Sequence, residues 1–226
     1  MADGCLLYYI TDRIQFLGDE HSRRRALLAK VGEAATAGVD YIQLREKDIR
    51  ARELEVLARD ALAAVRNSFP LRPESRGLRT RLLINSRTDI ALAVGADGVH
   101  LRADDVAPPE VRQMLGLAGH QPLTTDHFLV AASCHTAADV LRAESEKADF
   151  AVFAPVFGKR GAAGTSPAGL AALREACRVK IPVFALGGIT IENAASCLEA
   201  GAVGVAGIRL FQENKIEDVV RTLRAR

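Results

Sequence analysis

Ala37-Gly38-Val39-Asp40-Tyr41-Ile42 returns as Val94-Gly95-Ala96-Asp97-Gly98-Val99 and again as Ala200-Gly201-Ala202-Val203-Gly204-Val205. Lys147-Ala148-Asp149-Phe150-Ala151-Val152 is a weaker copy without the glycine. Each copy follows an alanine-rich segment of helical period and leads into a short β-branched run. The phrase therefore reads as a helix closed by a C-cap, with a strand starting at once. One α-to-β turn used repeatedly marks a repeated βα unit.

Working outward from these turns, the pattern predicts strands near 6–10, 40–44, 81–85, 97–101, 128–132, 149–153, 182–186 and 203–207. Helical stretches fall near 22–37, 50–66, 87–94, 108–116, 136–147, 167–178, 190–200 and 216–225. Strict alternation argues for a parallel sheet, and eight units argue for closure into a (β/α)8 TIM barrel, one domain spanning 1–226. An open doubly wound sheet is disfavoured, since no Gly-x-Gly-x-x-Gly follows the first strand and no second small domain is visible.

The 226 residues suit one barrel, slightly below the usual ~250. Hydrophobic residues make up 49%, enough for a core, yet no apolar run approaches the ~18 residues of a membrane span. Met1-Ala2-Asp3-Gly4-Cys5 starts acidic and passes straight into the first strand, so no signal peptide is expected. Net charge is +2 with basic and acidic residues intermixed, which argues against nucleic acid as a partner. Cys5, Cys134, Cys177 and Cys197 show no C-x-x-C or zinc spacing and fit reduced thiols in a cytoplasmic enzyme. The connections 67–80 and 117–127 are rich in Pro, Gly, Ser and Thr and read as surface insertions, with Arg66, Arg72, Arg76, Arg79 and Arg81 in or beside the first. A homo-oligomer is left open as a partner state.

In such a barrel the active site lies at the carboxyl ends of the strands, so the residues standing there form a functional reading. Strand two runs Tyr41-Ile42-Gln43-Leu44 into Arg45-Glu46-Lys47-Asp48, and alternation puts Gln43, Arg45 and Lys47 on one face. One amide and two cations pointing the same way make an anion receiver: Arg offers a planar fork, Lys a mobile point charge. The alternative is a solvated strand end whose charges pair with Glu46 and Asp48. Later rims carry Asn85-Ser86-Arg87, then His100 with Arg102-Ala103-Asp104-Asp105, Ser133-Cys134-His135, Phe157-Gly158-Lys159-Arg160, Gly187-Gly188-Ile189-Thr190 and Gly207-Ile208-Arg209.

Gly187-Gly188 before a helix opening at Thr190 lets bare backbone N–H groups approach an anion, and Gly207 after strand eight is the matching element of a phosphate cradle. Asp104 and Asp105 are candidate ligands for a hard cation such as Mg2+, held with substrate phosphate and water, or else caps for the helix near Pro108. His100 and His135 are candidate acid–base groups, although a lone His at a strand end is as often a structural hydrogen bonder. No nucleophile elbow or Ser-His-Asp order points to a hydrolase.

With these residues assembled, the chain resembles the thiamine phosphate synthase and TenI superfamily over nearly its whole length. The matching motifs are Gly38-x-x-x-x-Gln43-Leu-Arg45-Glu-Lys47-Asp48, Ile84-Asn85-x-Arg87-x-Asp89-x-Ala91, Gly95-Ala96-Asp97-Gly98-Val99-His100-Leu101, Ser133-x-His135-Thr136, Ala154-Pro155-Val156-Phe157 and Ala185-Leu186-Gly187-Gly188-Ile189-Thr190-x-x-Asn193. The resemblance implies a Mg2+-dependent transferase that joins hydroxymethylpyrimidine diphosphate to a thiazole phosphate and releases pyrophosphate. By the same resemblance Gln43, Arg45, Lys47 and Asn85 would hold the pyrimidine diphosphate. Asp105 would bind Mg2+, Ser133 and Lys159 would meet the pyrophosphate, and Gly188 and Ile208 would line the thiazole phosphate site. Two departures stand out. Ser86 occupies the position of a magnesium-ligating Asp and offers only a neutral, weaker ligand. The loop from Gly158 to Ser166 departs from the family's Thr-x-Thr-Lys type, so either Lys159 or Arg160 replaces the family lysine. These departures keep two alternatives open, a TenI-like thiazole tautomerase and a non-catalytic binder of phosphorylated ligands.

Overall fold

The structure, a computed structural model, describes residues 4–68, 79–117, 128–158 and 166–225. Eight parallel strands close on themselves in sequence order, making a (β/α)8 barrel. The strands are β1 (Leu6–Ile10), β2 (Tyr41–Leu44), β3 (Arg81–Asn85), β4 (Gly98–Leu101), β5 (Leu129–Cys134), β6 (Phe150–Phe153), β7 (Val183–Ala185) and β8 (Gly204–Gly207). The helices outside them are α1 (Glu20–Ala37), α2 (Ala51–Arg66), α3 (Thr88–Val94), α4 (Pro108–Leu117), α5 (Ala137–Ser145), α6 (Gly169–Ala176), α7 (Ala194–Glu199), α8 (Arg209–Gln212) and α9 (Ile216–Arg224). Sequence pattern alone misses α8, because four residues are too short to show a helical period, and also misses a 3-10 turn at Arg13–Gln15.

Alternation along each strand sorts side chains into two cores. Leu7, Tyr9, Ile42, Leu44, Leu82 and Ile84 point outward into the layer shared with the helices. Tyr8, Leu83, Phe150, Val152, Phe184 and Ala206 point inward and fill the barrel. Its centre is aromatic: Tyr8, Tyr41, Phe150 and Phe184 meet with ring centroids 5.1 to 5.8 Å apart, mostly edge-on or tilted. The barrel interior is thus plugged by aromatic rings.

The repeated turn has a physical cause that its spelling does not reveal. Gly38, Gly95 and Gly201 all take positive φ (85°, 68° and 106°), as a left-handed helix end requires. In the copy without glycine, Lys147 adopts the same conformation at φ 63°. The aspartate two residues further on is a fastener. Asp40 Oδ2 accepts the backbone N–H of Leu7, Asp97 Oδ2 that of Leu82, and Asp149 Oδ2 that of Val130, at 2.8, 2.8 and 2.6 Å. Each carboxylate satisfies the N–H of the second residue of the preceding strand, whose first N–H is already given to a backbone carbonyl. Each also holds an arginine: Arg224 on Asp40, Arg79 on Asp97 and Arg112 on Asp149.

Of the arginines around the first long connection, Arg79 is therefore fastened to the barrel, and Arg66 Nη2 donates to the Gly95 carbonyl at 3.0 Å. Arg72, Arg76 and most of the second connection lie outside the described residues. Among the described residues no helix is long and apolar enough to cross a membrane.

Candidate active site

The inward side chains stop at Gln43, Asn85, His100 and Ser133, and above them opens a cavity of about 450 Å3. One wall is polar: Gln43, Arg45, Asn85, His100, Ser133 and His135, with Arg102 and Asp104 at the mouth. The other is apolar backbone and side chain: Ile10, Val152, Ala154, Pro155, Leu186, Gly187 and Ile208. A two-sided cleft of this kind can take a flat heterocycle against one wall and an anion against the other.

The polar floor holds two hydrogen-bonded rows of side chains. Gln43 Nε2 donates to Asn85 Oδ1 at 2.8 Å, and Asn85 Nδ2 donates to Ser86 Oγ at 3.0 Å. Gln43 is only 2% exposed, so its amide is set rather than searching. His100, paired in register with Asn85, is also buried, with Nδ1 2.9 Å from the Tyr8 hydroxyl and Nε2 2.8 Å from Ser133 Oγ. Burial, aided by the nearby Arg45 charge and opposed by Asp105, pushes His100 down to about 3, so the ring is neutral. His135 Nδ1 lies 2.7 Å from the Ala154 carbonyl oxygen, which can only accept. Its Nδ1 therefore carries a proton, and Nε2 is the atom left for the cleft.

Arg45 stands half-buried on the cleft wall with no ion-pair partner among the described residues. Burial pulls its guanidinium below the ordinary value, and Asp12 and Glu46 work against that pull. The carboxylates next to it in sequence are taken by another cation. Arg13, 4% exposed, binds Glu46, Asp48 and Glu20 together. Glu46 is held further by the Thr11 hydroxyl at 2.6 Å and the Arg13 backbone N–H at 3.0 Å. The same Thr11 oxygen accepts the backbone N–H of Arg45 at 3.0 Å. For Arg45, then, Glu46 and Asp48 are not ion-pair partners; both carboxylates are held by Arg13.

The other sequence candidates separate. Lys47 is exposed and does not line the cleft, because the chain turns at 47–48, just past the end of β2 and Arg45. Gly187 and Gly188 take φ 100° and 62°, and a Cβ on either would lie 2.6 to 2.8 Å from the Pro155–Gly158 segment. Gly187 O and Leu186 O accept the N–H groups of Phe157 and Val156 at 3.0 and 2.8 Å, so the loops after β6 and β7 are zipped together. Residues 191–193 form a turn and α7 starts only at Ala194, later than the helix expected from Thr190. Gly207 closes β8 with Ile208 at the cleft wall. Lys159 and Arg160 lie outside the described residues.

For a magnesium ion the donors at hand are hard oxygens. Asp105 is clasped by Arg102 through its backbone N–H at 2.7 Å and its guanidinium at 3.2 and 3.3 Å, and lines the adjoining depression. Asp104, 74% exposed, lines the cleft itself. Ser86 takes φ 62°, a conformation Asn or Asp adopts more readily than Ser, and its oxygen already accepts from Asn85. Among the described residues no cluster of three or more acidic, His or Cys side chains forms a ready-made metal site, so a cation here would have to keep several waters and lean on substrate phosphate.

Residues at the end of β1 belong to this site and are not singled out by motif reading. Applying the same rim rule to the first strand yields Thr11-Asp12-Arg13, the segment that braces Arg45. Tyr8 gives no such signal, since in sequence it is one more apolar core residue of Leu6–Ile10.

Comparison with known proteins agrees with this geometry. A family model described as thiamine monophosphate synthase matches residues 7–211. The chain is 38% identical over 208 residues to a putative thiamine-phosphate synthase 2 of Aquifex aeolicus, covering 92% of this chain and 97% of that one. It is 37% identical over 223 residues to the thiamine-phosphate synthase of Syntrophomonas wolfei, covering 96% and 94%. Among solved structures it matches a thiamine phosphate pyrophosphorylase from Pyrococcus furiosus with TM-score 0.74 and 28% identity, over 99% of this chain and 95% of that one.

Proposed function

The chain belongs to the thiamine monophosphate synthase family and is a transferase of that kind acting on small phosphorylated pyrimidine and thiazole substrates, and we propose how its residues divide the work. Gln43 and Asn85 hold the pyrimidine, and Arg45 and Ser133 meet its diphosphate. The backbone at Gly187, Gly188, Gly207 and Ile208 receives the thiazole phosphate. The observation that carries this reading is the two-walled cleft, with an Arg45 kept unneutralised on one side and a glycine loop on the other.

The reaction is substitution at the pyrimidine methylene. The bond to the diphosphate oxygen breaks, the thiazole supplies the new bond, and pyrophosphate departs. What the protein must stabilise is charge on the leaving group, and preorganised donors in a partly dry cleft do this well. Arg45 and the Ser133 hydroxyl are such donors. A bound Mg2+, held by Asp105 with Asp104 and more weakly Ser86, would add charge neutralisation at the pyrophosphate. Lys159 or Arg160 would add a further cation from the loop after β6. No protein nucleophile is needed. A cytoplasmic setting is part of the same proposal, supported by four free cysteines, three of them buried.

The test is direct. Purified protein incubated with both phosphorylated substrates and Mg2+ is expected to form thiamine phosphate and pyrophosphate in equal amounts. Isomerisation of a thiazole carboxylate phosphate without coupling would instead support the tautomerase, and ligand binding with neither reaction would support a binder.

A further inference from the structure

The Tyr8 hydroxyl lies in the aromatic centre of the barrel, 0% exposed, with Tyr41, Phe150 and Phe184 packed edge-on around its ring. Among the described residues its hydroxyl has one hydrogen-bond partner, His100 Nδ1 at 2.9 Å. Two arrangements are open to a neutral imidazole. If Nδ1 carried the proton, the Tyr8 oxygen would accept it and the Tyr8 proton would face ring carbons with no acceptor. A buried donor without a partner is costly, whereas a Tyr8 proton given to a bare Nδ1 leaves nothing unsatisfied. The neutral ring has only one proton, so it then sits on Nε2. That atom is 2.8 Å from Ser133 Oγ, which must accept. The Ser133 proton is left for the cleft that this residue lines.

We propose that Tyr8 is a positioning residue that sets the direction of a hydrogen-bonded chain, Tyr8 to His100 to Ser133, and so presents Ser133 as a donor to an anion. The alternative polarity would turn the Ser133 lone pairs toward that anion and repel it. This role rests on the reading of Ser133 as a pyrophosphate contact. It assigns a binding function to a residue that touches no ligand and lies inside the barrel plug.

The decisive measurement is long-range nitrogen correlation NMR on protein carrying 15N-histidine. The His100 signals are assigned by their loss in His100→Asn, among five histidines. An unprotonated Nδ1 and a protonated Nε2 are expected, and a protonated Nδ1 would overturn the proposal. Inorganic pyrophosphate with Mg2+ is the binding probe. Tyr8→Phe is expected to weaken it about tenfold, the scale of one charge-assisted hydrogen bond, and to leave affinity unchanged in a Ser133→Ala background. An equal loss in that background would show that Tyr8 acts by packing alone and sink the relay. If Ser133→Ala by itself leaves pyrophosphate affinity intact, the pyrophosphate reading fails, while the tautomer still decides the direction of the chain.

Discussion

Arg13 and Glu46 form an ion pair 3.2 Å long, with side chains 4% and 1% exposed, directly behind the cation that faces the cleft. Breaking such a pair strands a buried charge, at a cost of about 3–5 kcal/mol. Arg13→Met is expected to lose stability on that scale in urea unfolding. Adding Glu46→Gln should recover part of it, because a neutral amide then replaces the stranded carboxylate. If the two losses simply add, Arg13 and Glu46 do not act as a unit.

Arg45→Ala is expected to weaken binding of the pyrimidine diphosphate by about 1.5–3 kcal/mol, with folding stability changed by less than about 1 kcal/mol. Lys47→Ala should cost less than about 1 kcal/mol, since Lys47 is exposed and off the cleft wall. Titration calorimetry with the diphosphate compares the two. Equal losses would mean that Lys47 swings into the site on binding.

Ser86→Asp restores an anionic oxygen at a position whose φ of 62° Asp tolerates better than Ser. It is expected to lower the Mg2+ concentration giving half-maximal activity and to raise turnover at limiting metal, because a hard cation gains more from a carboxylate than from a hydroxyl. A magnesium titration of both forms is the check. Superimposable, metal-independent curves would remove magnesium from the site and favour tautomerase chemistry.

His100, pushed down to about 3 by burial, makes the fold acid-sensitive in a defined window. Between its ordinary value of 6.5 and about 3 the unfolded chain binds a proton that the folded chain refuses, so stability is full above the window and is lost as pH falls through it. This group alone contributes a slope of up to about 1.4 kcal/mol per pH unit. Urea midpoints measured across the window should show that slope in the wild type and a shallower one in His100→Asn. Parallel curves would show that other groups govern acid unfolding.

The barrel is legible in the sequence because its connections are written in one repeated phrase, and the strands fall within two residues of the expected starts. What the phrase conceals is why Asp40, Asp97 and Asp149 are there: their partners, Leu7, Leu82 and Val130, stand one strand earlier. Gln43, Arg45, Asn85 and Ser133 can be found because strand periodicity places polar groups at a known rim. Lys47 cannot be placed in the same way, because the chain has turned by residue 47. Tyr8 is invisible for a deeper reason. A tyrosine within an apolar strand looks like packing until its hydroxyl is seen to meet a histidine 92 residues away.

The three aspartate fasteners lie at the amino end of the barrel, a full strand length below the cleft. Closure and chemistry thus have separate owners along each strand. The hoop is latched from underneath, so the loops above it can be recut, lengthened or exchanged while the barrel stays shut. A lineage with this chassis can retailor its upper rim for another phosphorylated ring, keeping one base and changing the lid.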